Sequence, residues 1–234
     1  LSVTPQYQDR YEGGRALAAK LTRFAGKSDL AVLGLAYGGM PAAYEVAQAL
    51  GAPLDILVLR QLLAPGYEEM PMGLASSGHA HELYGEVIRR LRLPEDLVER
   101  IARETEEELE RQASDFRNGR DPVEINGRTV LVVDDGLATG ACMRGALALL
   151  RSRGAGKLIA AVAAASADGC AGLRDSADDV VCALSPEPFY SIGAWYADFM
   201  PVPEGEIKEL LDRNSQAFGV GGARRTATDK VMRN

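Results

Sequence analysis

The chain reads as an α/β protein with a mostly parallel central sheet, flanked by helices and carrying a small hood. Short apolar runs alternate along it with helix-length stretches of mixed polarity, which implies right-handed βαβ crossovers. Five of these runs, at 29–35, 54–59, 130–133, 158–165 and 180–184, have the length of buried strands. The length of 234 residues suits one such domain with an appendage. The reading is a single domain over 1–213, with a hood drawn from about 61–93 and 185–202, and a tail at 214–234.

Composition sets the class. Hydrophobic residues make up 47% and charged residues 25%, the balance of a globular protein that builds a core without disulfides or structural metal. Cys142, Cys170 and Cys182 form no CxxC pair and no framework, so free thiols in a reducing cytoplasm are expected. No apolar run reaches membrane-spanning length, and Leu1 to Arg10 lacks the hydrophobic core of a secretion signal. These features predict a cytoplasmic protein with no membrane partner. The formal charge of −7 argues against nucleic acid as a partner, because neutralising phosphates along a duplex needs a basic face. A phosphorylated small molecule is still within reach of backbone N–H groups, helix N-termini or a bound metal.

Each element follows from its own residues. Leu17, Leu21 and Phe24 fall at helical spacing, predicting a first helix over 9–24 that stops near Gly26. After the strand at 29–35 comes the small-residue loop Ala36, Tyr37, Gly38 and Gly39. Pro41 then sits in the first turn of a helix that Gly51 ends. Residues 61–71 read as a loop, with a short strand at 72–75 beyond. The charged stretch 94–117 reads as a helix with apolar positions Leu97, Ile101, Leu109 and Phe116 and a solvated opposite face. His79 and His81 have strand-face spacing but no third ligand nearby, so they read as surface histidines. Further helices are expected at 141–153 and 169–176. In a parallel sheet ligands bind outside the carboxyl ends of the strands, which selects 36–39, Arg60 onward and 134–140 as one rim.

The strongest chemical signal lies on that rim. The apolar run Thr129 to Val133 ends in Asp134 and Asp135, then Gly136, Leu137, Ala138, Thr139 and Gly140, then a helix. Unpaired N–H groups and the positive end of the helix dipole suit a phosphate, and the two glycines let backbone approach it closely. The Thr139 hydroxyl is a further donor. Two carboxylates would repel a phosphate they faced. They make sense if they accept hydrogen bonds from sugar hydroxyls while the phosphate lies further along the loop.

The string VLVVDDGLATGAC resembles the phosphoribosyl pyrophosphate signature of type I phosphoribosyltransferases. The resemblance implies that Asp134 and Asp135 hold the ribose 2- and 3-hydroxyls and that Gly136 to Gly140 wrap the 5-phosphate. It places Ala36, Tyr37, Gly38 and Gly39, with Arg60, at the pyrophosphate. Two departures stand there. Tyr37 takes a position that is commonly Arg, and Gln61 follows Arg60 where a basic pair is frequent. In the signature itself, Ala138 and Cys142 replace residues that often carry hydroxyls. The implied activity is Mg²⁺-dependent transfer of a 5-phosphoribosyl group to a nitrogenous base, with 61–71 as the covering loop. The missing cations favour an alternative, a non-catalytic protein of the same fold that senses a nucleotide or phosphoribosyl pyrophosphate.

The aromatic segment 188–199 also reaches the rim. It faintly resembles the late base-binding segment of 6-oxopurine phosphoribosyltransferases, which implies Phe189 and Tyr190 for stacking and Asp198 as a ring N–H acceptor. A sheet-edge plug or a homodimer contact is the competing use of the segment.

Overall fold

Residues 4–218 are described by a computed structural model. Asp9 opens the first helix, α1 (Arg10–Lys20), by accepting the Glu12 N–H at 2.8 Å. The helix stops there, and a single 3₁₀ turn at Thr22–Phe24 completes the apolar spacing that predicted one longer helix. Strand β1 (Leu30–Leu35) is buried along its whole length and feeds α2 (Gly39–Leu50), which ends on Gly51 in the left-handed conformation. Then comes β2 (Leu54–Leu57).

The predicted loop at 61–71 is instead part of a three-stranded antiparallel sheet. Strands β3 (Leu59–Ala64), β4 (Tyr67–Ser76) and β5 (Ala80–Leu83) pair in sequence order. Turn residues and Pro71 obscure the strand pattern. Pro71 pairs with Leu63 at a register irregularity, where a residue without an N–H is tolerated. This sheet packs on α4 (Glu95–Phe116), which follows a short α3 (Gly85–Leu91). His81 lies on β5 with Nδ1 2.6 Å from Oε1 of the buried Glu106, so it is an internal partner of α4.

The central strand β6 (Thr129–Leu137) runs four residues past the predicted 130–133, through the acidic pair and up to Leu137. It is followed by α5 (Ala141–Ser152), β7 (Lys157–Ala165), α6 (Ala167–Ala171) and β8 (Asp179–Leu184). The long β7 holds the extra length of β6 through the pairs Asp134 with Val162, Gly136 with Ala164 and Leu137 with Ala165. A last helix, α7 (Glu204–Phe218), was not anticipated. Asn214 is fully buried in it, accepting from Leu54 N–H at 2.8 Å and donating to Ala52 O at 3.2 Å. The expected loose tail therefore does not begin at Asn214; its remainder, 219–234, lies outside the described residues.

The large sheet is parallel, in the order β2-β1-β6-β7-β8. Helices α1, α2 and α7 cover one face, and α5 with residues 170–173 covers the other. Cys170 and Cys182 are disulfide-bonded, which corrects the expectation of three free thiols. The crossover from α6 brings β8 back beside it, so a separation of 12 residues in sequence becomes contact in space. Cysteine usage accordingly gives no ground for assigning a reducing compartment. Cys142 is free and exposed. No described helix is long and apolar enough to cross a membrane.

Candidate functional site

Strands β1 and β6 lie side by side in parallel, but the chain runs from β1 to β2 on one side and from β6 to β7 on the other, and such a switch point opens a crevice beyond the strand ends. The loop 36–39 leaves β1 on one side of it and the loop 138–140 leaves β6 on the other. Gly39 faces β6 so closely that a Cβ there would lie 2.6 Å from Val133 O and 3.0 Å from Asp134 Cα. At Gly38 an added Cβ would collide with the Asp135 carboxylate. The two glycines are thus required by the approach of α2 to the acidic pair. The Ala36–Tyr37 peptide is cis.

The two adjacent carboxylates have different surroundings. Strand alternation turns Asp135 inward. It is buried, its Oδ2 lies 2.6 Å from Arg10 Nε, and its backbone oxygen accepts the Tyr196 hydroxyl at 2.6 Å. Asp134 is half-buried and its Oδ1 accepts the Asp135 N–H at 2.9 Å. Burial, with the neighbouring Asp135 charge second, pushes the Asp134 carboxyl well above the usual aspartate range.

Gly136 and Leu137 lie within β6 and are buried, while Ala138 and Thr139 are exposed. At Gly136 an added Cβ would strike Ile192, so this glycine admits the 185–195 segment against the strand. The loop that offers free N–H groups is therefore 138–140 and the first turn of α5. Gly140 takes the left-handed conformation at φ +72° and caps α5 without a side-chain hydrogen bond. Thr139 Oγ1 accepts from Ala141 N–H at a long 3.4 Å, which leaves the hydroxyl hydrogen to donate outward. Arg144, which the sequence reading passed over, donates to Thr139 O at 3.0 Å and sets a cation beside the loop. Its place four residues after Gly140, one helical turn on, is the signal that was available.

In the loop 36–39, Tyr37 leans away toward α4. Its hydroxyl accepts from Gln112 Nε2 at 2.6 Å, and its ring meets Phe116 edge-on at 5.8 Å. Arg60 Nη1 lies 2.6 Å from Glu108 Oε2, so the one cation predicted there is paired with α4. Gln61 is exposed beside it.

The aromatic segment divides. Phe189 stacks on Trp195 at 6.2 Å, and Tyr190 is 57% exposed. Asp198 accepts Met200 N–H at 3.0 Å and borders a cavity of about 330 Å³ with Asp9, Arg10, Pro41 and Glu206. Sequence reasoning missed Arg10, Tyr7 and Tyr196 here. The 4–8 segment crosses beside 195–198 through backbone hydrogen bonds, a juxtaposition about 190 residues apart in sequence that no local pattern signals.

Among the described residues, no three His, Cys, Asp or Glu side chains cluster to hold a metal ion. A magnesium ion needs only one or two protein carboxylates when substrate phosphates and water supply its other ligands. Asp134 fits that role, since a cation would offset the burial that disfavours its charge.

The family model of the phosphoribosyl transferase domain matches residues 5–193. Proteins of two Mycobacterium tuberculosis strains, provisionally named phosphoribosyl transferases, are 37% identical over 228 residues, covering 97% of this chain and 51% of theirs. The chain thus spans about half the length of these curated relatives. The crystal structure of TT1426 from Thermus thermophilus matches with a TM-score of 0.76 at 32% identity, over 93% of this chain and 100% of that one.

Proposed function

The chain belongs to the phosphoribosyl transferase domain family, and on that premise we propose that it moves a 5-phosphoribosyl group from phosphoribosyl pyrophosphate to a nitrogenous base, with Mg²⁺. The observation that carries the reading is the convergence of Asp134, loop 36–39 and loop 138–140 at the switch point of the sheet. The N–H groups of 138–140 and the Thr139 hydroxyl bind the 5-phosphate. Asp134 accepts from a ribose hydroxyl and is the protein ligand to the metal. When bound, Mg²⁺ supplies charge neutralisation for the departing pyrophosphate. The loop 36–39 seats that pyrophosphate through backbone groups. The bond from ribose C1 to pyrophosphate oxygen breaks, a base nitrogen bonds to C1, and the proton that nitrogen carried passes to water or to the departing pyrophosphate. The chain's contribution is positioning and charge stabilisation.

Calorimetric titration with phosphoribosyl pyrophosphate and Mg²⁺, followed by pyrophosphate-release assays across purine and pyrimidine bases, tests the reading. Binding with release for at least one base is the expected result. Binding without release for any base would replace it with the sensor reading, which the pairing of Tyr37 with Gln112 and Arg60 with Glu108 favours.

Restoring cations separates the two readings further. Tyr37→Arg with Gln61→Lys puts charge beside the leaving group, and charge-assisted contacts of this kind are worth about 1.5–3 kcal/mol each. The double variant is expected to bind pyrophosphate more tightly and to turn over about ten- to a hundredfold faster if one such contact forms in the transition state. A normally folded variant that gains neither affinity nor rate would remove the pyrophosphate from this loop.

A further inference from the structure

One guanidinium touches three parts of the site. Arg10, at the first turn of α1, places Nε 2.6 Å from Asp135 Oδ2 and Nη1 2.6 Å from Met200 O. Its Cζ lies 3.8 Å from the Phe199 ring centroid. Phe199 in turn stacks on Tyr196 at 5.1 Å, and the Tyr196 hydroxyl returns to Asp135 O at 2.6 Å. These contacts close a ring from Asp135 through Arg10, Phe199 and Tyr196 back to Asp135. The carboxylate and guanidinium are 9% and 11% exposed, so the pair is shielded and its geometry is held. On the acceptor side, residues 185–203 contain no strand or α-helix and only one 3₁₀ turn, at Gly193–Trp195, to hold them.

We propose that Arg10 is a positioning residue that couples the two halves of the site, seating Asp135 on the sugar side and residues 196–200 on the acceptor side. The coupling rests on the reading that Asp134 and 138–140 hold phosphoribosyl pyrophosphate; the seating of 196–200 does not. Only a planar, forked cation can sit over Phe199 while directing separate N–H groups to a carboxylate and a carbonyl. Lysine can reach Asp135 but cannot make all three contacts at once. Arginine is therefore required for the acceptor side, and a positive charge alone suffices for the sugar side.

Trp195, the chain's one tryptophan, directly precedes Tyr196 and reports on the acceptor side. The full chain would be compared with Arg10→Gln and Arg10→Lys by acrylamide quenching of Trp195 without ligand. Titrations with phosphoribosyl pyrophosphate plus Mg²⁺ and with inorganic phosphate would follow. Quenching is expected to rise about twofold or more in both variants, because each frees the 196–200 segment. Affinity for phosphoribosyl pyrophosphate is expected to fall about tenfold in Arg10→Gln and to be largely rescued in Arg10→Lys. Inorganic phosphate, which reads loop 138–140, is expected to bind all three chains alike.

Wild-type quenching in Arg10→Gln, or no rescue of affinity by lysine, overturns the coupling. If Arg10→Gln does not fold, Phe199→Leu serves in its place: raised quenching with unchanged affinity supports the proposal, and unchanged quenching overturns it. A wild-type chain that binds phosphate but not phosphoribosyl pyrophosphate would sink the proposed function, while the quenching comparison still judges the seating of 196–200 by Arg10.

Discussion

Asp134→Asn is expected to abolish phosphoribosyl pyrophosphate binding while stabilising the folded chain, and Asp135→Asn to destabilise it by about 3 kcal/mol. The substitutions are adjacent and chemically identical, so the contrast depends only on where each side chain points. Asn at 135 leaves the buried Arg10 guanidinium without its counter-charge, and breaking a shielded pair from one side is costly. At 134 the carboxylate is the group that the fold disfavours, through burial and the adjacent Asp135 charge. The sign of the pH dependence follows. Folded Asp134 holds its proton more tightly than the unfolded chain does, so wild-type stability falls as pH rises above the ordinary aspartate value of 3.8. Asp134→Asn should therefore gain stability at neutral pH and lose that advantage below 3.8. Urea denaturation of both variants at neutral and acidic pH measures it. Equal stability losses for the two variants would contradict the assignment of one acid to structure and the other to ligand. A destabilised acid kept for binding would be a familiar trade of stability for function.

Gly39→Ala is expected to cost about 1–3 kcal/mol in stability and to remove most ligand binding. The new methyl would meet Val133 O at 2.6 Å and Asp134 Cα at 3.0 Å. Both are backbone atoms of the central strand β6, which is paired on either side and has no room to yield. The start of α2 must then move outward, carrying loop 36–39 away from the acidic pair. Thermal unfolding and calorimetry with phosphoribosyl pyrophosphate together test this. A variant that melts lower but binds normally would show that the loop tolerates the shift, and the pyrophosphate would then be seated elsewhere.

Short-range chemistry is legible in the sequence. Predominantly apolar runs marked all five strands of the large sheet, since strands covered on both faces show little polar alternation. The acidic pair and the Gly140 turn into α5 were visible because carboxylates, a left-handed glycine and a helix start are consecutive in the chain. Where a property depends on a partner far along the chain, only the tertiary structure decided it. The β3–β4 hairpin was hidden by Pro71 and its turn residues until β5 and α4 were packed against it. The Cys170–Cys182 bond exists because a crossover returns β8 beside α6. Likewise Arg10, 125 residues before Asp135, pairs with it through the packing of α1 on the sheet. Sequence by itself determined the five strands of the large sheet and the glycine turn into α5, because those follow from hydrophobic period and backbone geometry within a few residues. The tertiary structure gave the two acids different surroundings, because burial and charge pairing belong to a position in space.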